Sequence, residues 1–167
     1  MAMKAALANF TWPKPADTSE QKICADVINH RCHIITIPKD SEGPTYSFSI
    51  GLYLNFQHPE VVIFGLSQHV AGVTINDICS RVEKGGNFQA EQESDEFFTE
   101  GKVKFVVVDP KNYRDFLGSA QWFYRCLNGN FPVLQAVWTD KLGKFPWEEG
   151  HDQMAAKFQP LLNNAHH

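Results

Sequence analysis

The sequence contains neither a long hydrophobic run nor an excess of basic residues. Its longest apolar stretches, such as VVIFGL at 61–66, have the length of a strand and fall far below the roughly 20 residues that span a bilayer. Lys and Arg number 15 against 19 Asp and Glu, which gives a formal net charge of −4. Nucleic-acid-binding domains usually carry a basic stripe. We therefore expect neither a membrane nor a nucleic-acid partner.

Several familiar site motifs are missing as well. The chain has no glycine-rich phosphate loop, no G-x-S-x-G elbow and no H-E-x-x-H helix. Its four cysteines, Cys24, Cys32, Cys79 and Cys126, include no C-x-x-C pair, which is typical of reduced and mostly buried thiols. The HRCH cluster at 30–33 lacks the second ligand pair that a zinc site needs. We predict no metal and no bound cofactor.

The amino-terminal stretch MAMKAALANFTWPKP does not resemble a signal peptide. Asn9 and Thr11 interrupt its apolar segment, and Pro13 follows directly. A secretory signal needs a continuous apolar region of 7–15 residues, roughly speaking. The expected location is therefore the cytoplasm.

What the sequence does contain is a heavy aromatic load on a chain of single-domain size. Among 167 residues there are 13 phenylalanines and four tryptophans, enough to fill a core or to line a cleft. At this length folding buries about 70% of the surface of the unfolded chain. We divide the chain into an N-terminal extension (1–16), one domain (17–163) and a tail (164–167), whose His166 and His167 resemble a purification tag.

Hydrophobic periodicity predicts three helices and five main strands. The helices are expected at 18–30, from Ser67 to the glycines at 85–86, and from Pro110 to Leu127. The strands are expected at 33–38, 45–52, 61–66, 103–109 and 131–140. Residues 87–100, which include the acidic run EQESDE, are expected to form a solvated loop or an edge hairpin.

The order of these elements predicts the fold class. Adjacent strands favour antiparallel pairing, and the two internal helices favour crossover connections. We predict a single α+β domain with a mixed, mostly antiparallel sheet and helices mainly on one face. A split β-barrel is the alternative.

The stretch PVLQAVWTDKLGKFPW at 132–147 is the first candidate site. Asp140 and Gly143 fit the first and last positions of a type I turn that closes a hairpin. Along a regular strand Gln135 and Trp138 point to opposite faces. Trp138 and Trp147 either pack as core aromatics or flank a groove, where an indole can stack on a flat ligand.

The second candidate is the HPE segment at 58–60. His58 and Glu60 are two residues apart at the entry to a strand, so their side chains are expected to share a face. An imidazole beside a carboxylate can act as a general base with its orienting group, and Asp140 is the other candidate partner. The structural alternative is that His58 binds the local backbone and Glu60 ends the loop.

With these segments in view, the chain resembles an uncharacterised bacterial family known as a numbered domain of unknown function. The matching motifs are FSIGL at 48–52, HPEV at 58–61, FGL at 64–66, INDI at 75–78, PVLQAVWTD at 132–140, GKFPW at 143–147 and QPLL at 159–162. They span roughly residues 23–162. The resemblance implies that the family features are His58, Glu60, Gln135, Trp138, Asp140, Trp147 and Gln159. It implies no activity.

Two positions depart from the pattern of that family. Ser49 stands where the family usually has threonine, and Thr139 stands where it usually has proline. Neither side chain is therefore expected to be essential to a shared reaction.

Three functions fit these features. We predict a bacterial, cytosolic module that binds an unknown small molecule or protein in an aromatic-lined cleft, because no complete catalytic constellation is visible. The residues expected to bind the ligand are Tyr124, Gln135, Trp138, Trp147 and Gln159. One alternative is a small hydrolase or transferase with catalytic residues His58, Glu60 and Asp140. The other is a flavin-binding split-barrel protein.

All of these predictions place two distant loops beside each other. The loop before the strand at 61–66 and the loop that follows the last strand are expected to meet on one side of the sheet and to enclose a shared hollow.

Overall fold

The structure is a computed structural model that describes residue 7 and residues 9–163. The helices are α1 (Thr18–His30), α2 (Leu52–Phe56), α3 (Gln68–Glu83), α4 (Tyr113–Phe116), α5 (Gly118–Phe123) and α6 (Gln153–Ala156). The strands are β1 (His33–Ile37), β2 (Tyr46–Ile50), β3 (Glu60–Phe64), β4 (Glu93–Ser94), β5 (Val103–Val107) and β6 (Val133–Trp138). The predicted tag residues His166 and His167 lie outside the described residues.

The six strands form one sheet in the order β1-β2-β3-β6-β5-β4. The central pair, β3 and β6, is parallel, and the other four pairings within the described residues are antiparallel. The predicted α+β fold with a mixed, mostly antiparallel sheet is confirmed. The sheet does not close, so the split-barrel alternative is wrong.

Both faces of the central strand β3 are covered, as its unbroken apolar run predicts. Val62 and Phe64 pack in a core with α1, α4 and α5, whereas Val61 and Ile63 pack in a second core with α3. Most of the helical segments thus lie on one face, and the longest helix lies on the other. The described part of the N-terminal extension also packs on the first core, through Phe10.

The first helix has the bounds that the sequence predicts. Asp17 accepts a hydrogen bond from the backbone N–H of Glu20, and the helix ends at His30. The helix predicted from Pro110 to Leu127 is wrong as a single element, since 3₁₀ turns and a break at Leu117 divide it. Tertiary packing of Tyr113 and Phe123 on the first core holds the fragments in place.

The short helix α2 was not predicted, although it positions the candidate site. It follows Gly51, whose φ of +118° is a left-handed conformation that favours glycine. A Cβ atom at this position would lie 2.7 Å from the carbonyl oxygen of Arg31. The chain therefore turns from β2 into α2 at a place where only glycine fits.

No helix in the described part of the chain combines the length and the apolar character needed to cross a membrane.

Candidate functional site

The Glu60 carboxylate lies at the N-terminus of α2 and is 1% exposed. Backbone N–H groups of Gly51, Leu52 and Tyr53 donate to its two oxygens over 2.9–3.2 Å. These are the groups that a helix leaves unpaired in its first turn, and the positive end of the helix dipole favours an anion there. Glu60 therefore caps α2 from a neighbouring strand.

Two hydroxyl groups complete the shell around Glu60. The Ser49 hydroxyl donates to Oε1 over 2.7 Å, and the Tyr124 hydroxyl donates to Oε2. Each hydroxyl also accepts a backbone N–H, from Val61 and from Leu54 respectively. Burial raises the pKa of the Tyr124 phenol well above its usual value, so Tyr124 keeps the proton that it donates.

The balance of forces on the Glu60 carboxyl follows from this shell. The pKa of Glu60 is raised, because burial has a larger effect than the hydrogen bonds from Tyr124, Ser49 and the backbone, which lower it. All five groups donate to the carboxyl oxygens, and hydrogen bonds of this kind stabilise the ionised form. A threonine hydroxyl at position 49 can donate the same bond to Glu60. That Ser49 is not essential to a shared reaction stays a prediction.

The His58 ring is buried and both of its nitrogens are engaged. Nδ1 lies 2.7 Å from the carbonyl oxygen of Pro59, and Nε2 accepts the backbone N–H of Phe88 over 2.9 Å. Nδ1 therefore carries the proton, and the ring is neutral. Burial lowers the pKa of His58 further below its ordinary value. The imidazole binds the local backbone at Pro59, as the structural alternative expects. It also links the loop before β3 to Phe88 after α3, a distant contact that this alternative did not include.

A groove of about 880 Å³ runs beside His58. Its lining includes Phe10 and Trp12 from the N-terminal segment, Arg31 from the end of α1, and Asn55 with its neighbours from α2. Val82 and Glu83 at the end of α3, and residues 85–87 after it, contribute another part of the lining. Trp12 is 43% exposed, and its ring contacts Phe10 with a centroid separation of 5.6 Å. Aromatic rings and polar groups thus share one concave surface.

Asp140 lies at the other end of the sheet, so the predicted convergence of His58, Glu60 and Asp140 is wrong. Glu60 pairs with Val133 at the start of β6, whereas Asp140 follows the end of β6 at Trp138. A strand rises about 3.3 Å per residue, which separates Glu60 from Asp140 by roughly 20 Å. The two loops that were expected to enclose a shared hollow lie at opposite ends because β3 and β6 are parallel.

Asp140 organises the turn in which it lies. Its Oδ1 accepts the backbone N–H of Leu142 and of Lys144, and its Oδ2 accepts that of Asp152, over 2.7–2.9 Å. Partial burial opposes ionisation, but these three donors lower the pKa of the Asp140 carboxyl. The predicted turn is present, with the Gly143 N–H bonded to the Asp140 carbonyl.

Comparison with known proteins assigns the chain to a family. A model described as "Domain of unknown function (DUF4262)" matches residues 26–152. The chain belongs to the DUF4262 family. No curated protein and no solved structure matches it.

The two glutamines predicted to bind a ligand in this DUF4262 protein instead connect β6 to the C-terminal segment. Gln135 donates to the carbonyl of Pro160 and accepts the N–H of Leu162, over 2.8 and 2.9 Å. Gln159 bonds both backbone groups of Trp138 in the same way, over 2.9 Å. The segment that follows α6 is thereby fixed along β6.

The two tryptophans of the DUF4262 domain lie in different cores. Trp138 packs in the core of α3, and its indole N–H donates to the carbonyl of Phe64 over 2.7 Å. Trp147 stacks on Phe145 with a centroid separation of 4.9 Å, and Lys104 lies over its ring. Both indoles pack as core aromatics, and neither lines the groove beside His58.

Sequence reasoning missed the residues that line this groove. Trp12 was assigned to the extension before the domain, and Asn55 was assigned to a loop rather than to α2. The segment LYLNF after Gly51 offers no periodic signal, since a helix of five residues completes little more than one turn. An isolated tryptophan close to the start of the chain was the available hint.

Proposed function

We propose that this protein is a ligand-binding module and that the groove beside His58 is its binding site. The observation that carries the proposal is the composition of the groove, in which exposed and half-buried aromatic rings, one guanidinium, one carboxylate and three carboxamides line a concave volume of about 880 Å³. Small-molecule sites usually have volumes of about 300–1,000 Å³ and combine apolar walls with a few polar groups.

The polar groups beside the groove support binding more than catalysis. A general base needs a nitrogen or oxygen that can reach the proton of a substrate. Both nitrogens of His58 are bonded to the backbone, and the Glu60 oxygens accept five bonds. Catalysis at this place would require both networks to break first.

The lining indicates the class of ligand. Trp12 and Phe10 offer faces and edges for a flat or apolar group. The Arg31 guanidinium offers a charged hydrogen-bond donor to a ligand. The carboxamide nitrogen of Asn55 already donates to the backbone carbonyl of Arg31. A ligand with an aromatic part and an anionic group matches these features.

The test uses an anilinonaphthalene sulfonate dye as a probe, because it joins an aromatic system to an anion. We expect Trp12→Ala and Arg31→Gln to weaken dye binding about tenfold each, which corresponds to about 1.4 kcal/mol. The matched controls are Leu142→Ala and Arg125→Gln, whose side chains are exposed and lie outside the groove lining. These should bind the dye as the wild type does.

Equal affinity in all five proteins, measured by fluorescence titration, would place the dye elsewhere and overturn the proposal. Native mass spectrometry with an absorption spectrum of the freshly purified chain provides the complementary measurement. A retained organic molecule appears as added mass, and a flavin as absorption near the blue end of the visible spectrum.

A further inference from the structure

Two cysteine thiols that no part of the proposed function uses lie against each other. The Sγ atoms of Cys32 and Cys79 are 2.6 Å apart, although 47 positions separate the residues along the chain. Cys32 precedes β1, and Cys79 lies on α3, so the pair bridges the edge of the sheet and the longest helix. Both side chains pack in the core that α3 forms with the sheet.

We propose that Cys32 and Cys79 form a reversible disulfide when the protein meets a hydroperoxide. The thiols already face each other, so a bond of about 2.05 Å requires only a small approach of the two sulfurs. Cys32 is half-buried and is the entry point for a small oxidant, whereas Cys79 is 6% exposed and lies behind it.

The reaction has two steps that balance. The Cys32 sulfur attacks one oxygen of hydrogen peroxide, the O–O bond breaks, and the departing hydroxide takes the thiol proton to give a sulfenic acid and water. The Cys79 sulfur then attacks the Cys32 sulfur, the S–O bond breaks, and a second water leaves with the Cys79 proton. Two thiols are oxidised by two electrons, and one hydroperoxide is reduced.

The surroundings of the Cys32 thiol determine the rate of its oxidation. The hydrogen bond to Cys79 and burial raise the pKa of the Cys32 thiol, so the reactive thiolate is scarce at neutral pH. Oxidation should therefore need millimolar peroxide and minutes to hours. A thiol reductant should reverse it, because disulfides exchange with thiolates.

The test is a peptide map of the full chain after treatment with hydrogen peroxide and alkylation of the remaining thiols. We expect one cross-linked peptide that joins Cys32 to Cys79, a mass loss of about 2 Da, and reversal by dithiothreitol. Closing a loop of this length should raise the melting temperature by roughly 10 °C. The double variant Cys24→Ser/Cys126→Ser should retain all four effects, whereas Cys32→Ser should lose them.

Two outcomes would overturn the proposal. One is accumulation of sulfinic acid at Cys32 with no cross-linked peptide. The other is oxidation that links Cys126 between molecules while Cys32 and Cys79 stay alkylated. Both are read from the wild-type chain, so the result does not depend on whether a serine variant folds.

The same bond would tie together two parts of the groove, and this step rests on the proposed function. Arg31 adjoins Cys32, and Glu83 lies about one helical turn beyond Cys79 on α3. The oxidised protein should therefore bind the sulfonate dye with an affinity at least about threefold different from that of the reduced protein.

The two ideas fail in distinguishable ways. If the cross-link forms but neither redox state binds the dye, the groove proposal fails and the disulfide stands. If both states bind the dye equally, the disulfide and the groove stand, and the link between them is refuted.

Discussion

At the scale of single residues, Glu60 shows how the fold holds a charge away from water. An isolated buried carboxylate is strongly destabilising, whereas one that accepts several hydrogen bonds can be tolerated. Here a helix terminus supplies three donors, and Ser49 and Tyr124 supply two more. The carboxylate and the helix depend on each other, since removing either leaves the partner groups unpaired.

Glu60→Gln should lower the free energy of unfolding by about 3–5 kcal/mol, because a carboxamide offers one acceptor oxygen where two are used. Its NH₂ group must face at least two donors, whichever way the amide is turned. Urea unfolding measures the loss. Glu93→Gln is the matched control, because this exposed side chain has only a 3.8 Å ion pair to Lys102. A Glu60→Gln protein as stable as that control would contradict the prediction.

Through His58, the stability of the folded state depends on pH. Burial lowers its pKa in the folded state, whereas the unfolded chain has a pKa near 6.5. The unfolded state therefore takes up the proton first as the pH falls. The contribution of His58 to stability is fully present above about pH 6.5 and is lost as the pH falls through the folded-state pKa.

In the window below pH 6.5, His58 should contribute a slope of up to about 1.4 kcal/mol per pH unit to the free energy of unfolding. Urea titrations between pH 7.5 and 5 should show a shallower slope for His58→Gln than for the wild type. His69→Gln, at an exposed position on α3, should retain the wild-type slope. Identical slopes for His58→Gln and the wild type would refute a buried, neutral imidazole.

The roles of these residues were only partly visible in the sequence. The spacing of His58 and Glu60 indicated a pair at a strand entry, which is where they lie. The sequence could not show that Phe88 and Tyr124, 30 and 64 positions away, supply their partners. Contacts of that range come from the sheet order and have no local signature.

At the scale of elements, side-chain amides rather than strand pairing hold the C-terminal segment on β6. Gln135 on β6 bonds the backbone of this segment, and Gln159 in the segment bonds the backbone of Trp138. Buried backbone groups need such partners. The docking of this segment on β6 was not predicted from the sequence, because glutamine on a strand also suits a binding site.

Gln135→Met should destabilise the protein by about 2–3 kcal/mol, because the Leu162 N–H and the Pro160 carbonyl lose their partner while the volume stays similar. Hydrogen exchange followed by mass spectrometry should show faster exchange in residues 159–163. Gln153→Met, at an exposed position on α6, serves as the control and should leave that exchange unchanged. If residues 159–163 of the Gln135→Met protein exchanged as slowly as those of the wild type, packing alone would hold this segment, and the prediction would be contradicted.

At the scale of the whole molecule, one parallel pairing decides which residues meet. The sequence predicted the sheet class from strand counts and helix positions, and that class is confirmed. It did not specify that β3 and β6 run in the same direction, because the connection between them contains α3, β4, β5, α4 and α5. A hairpin-like pairing would have placed Asp140 near His58, whereas the parallel register places them at opposite ends.

This separation has a thermodynamic consequence. Trp138, which Gln159 holds, lies five positions along β6 from the partner of Glu60, or roughly 16 Å. Effects of substitutions more than about 10 Å apart usually add within about 0.5 kcal/mol. The losses of stability caused by Glu60→Gln and Gln159→Ala should therefore sum in the double variant, as measured by urea unfolding.

Glu60→Gln combined with Tyr124→Phe should behave in the opposite way. Tyr124 donates directly to Glu60, so either substitution already breaks the shared bond, and the double variant should lose at least about 0.5 kcal/mol less than the sum. A coupling between Glu60 and Gln159 as large as that between Glu60 and Tyr124 would show that the two ends of the sheet act as one site. If Glu60 and Gln159 are not coupled, the groove beside His58 is energetically separate from the C-terminal segment. Substitutions that alter ligand binding in the groove should then leave the attachment of that segment to β6 unchanged.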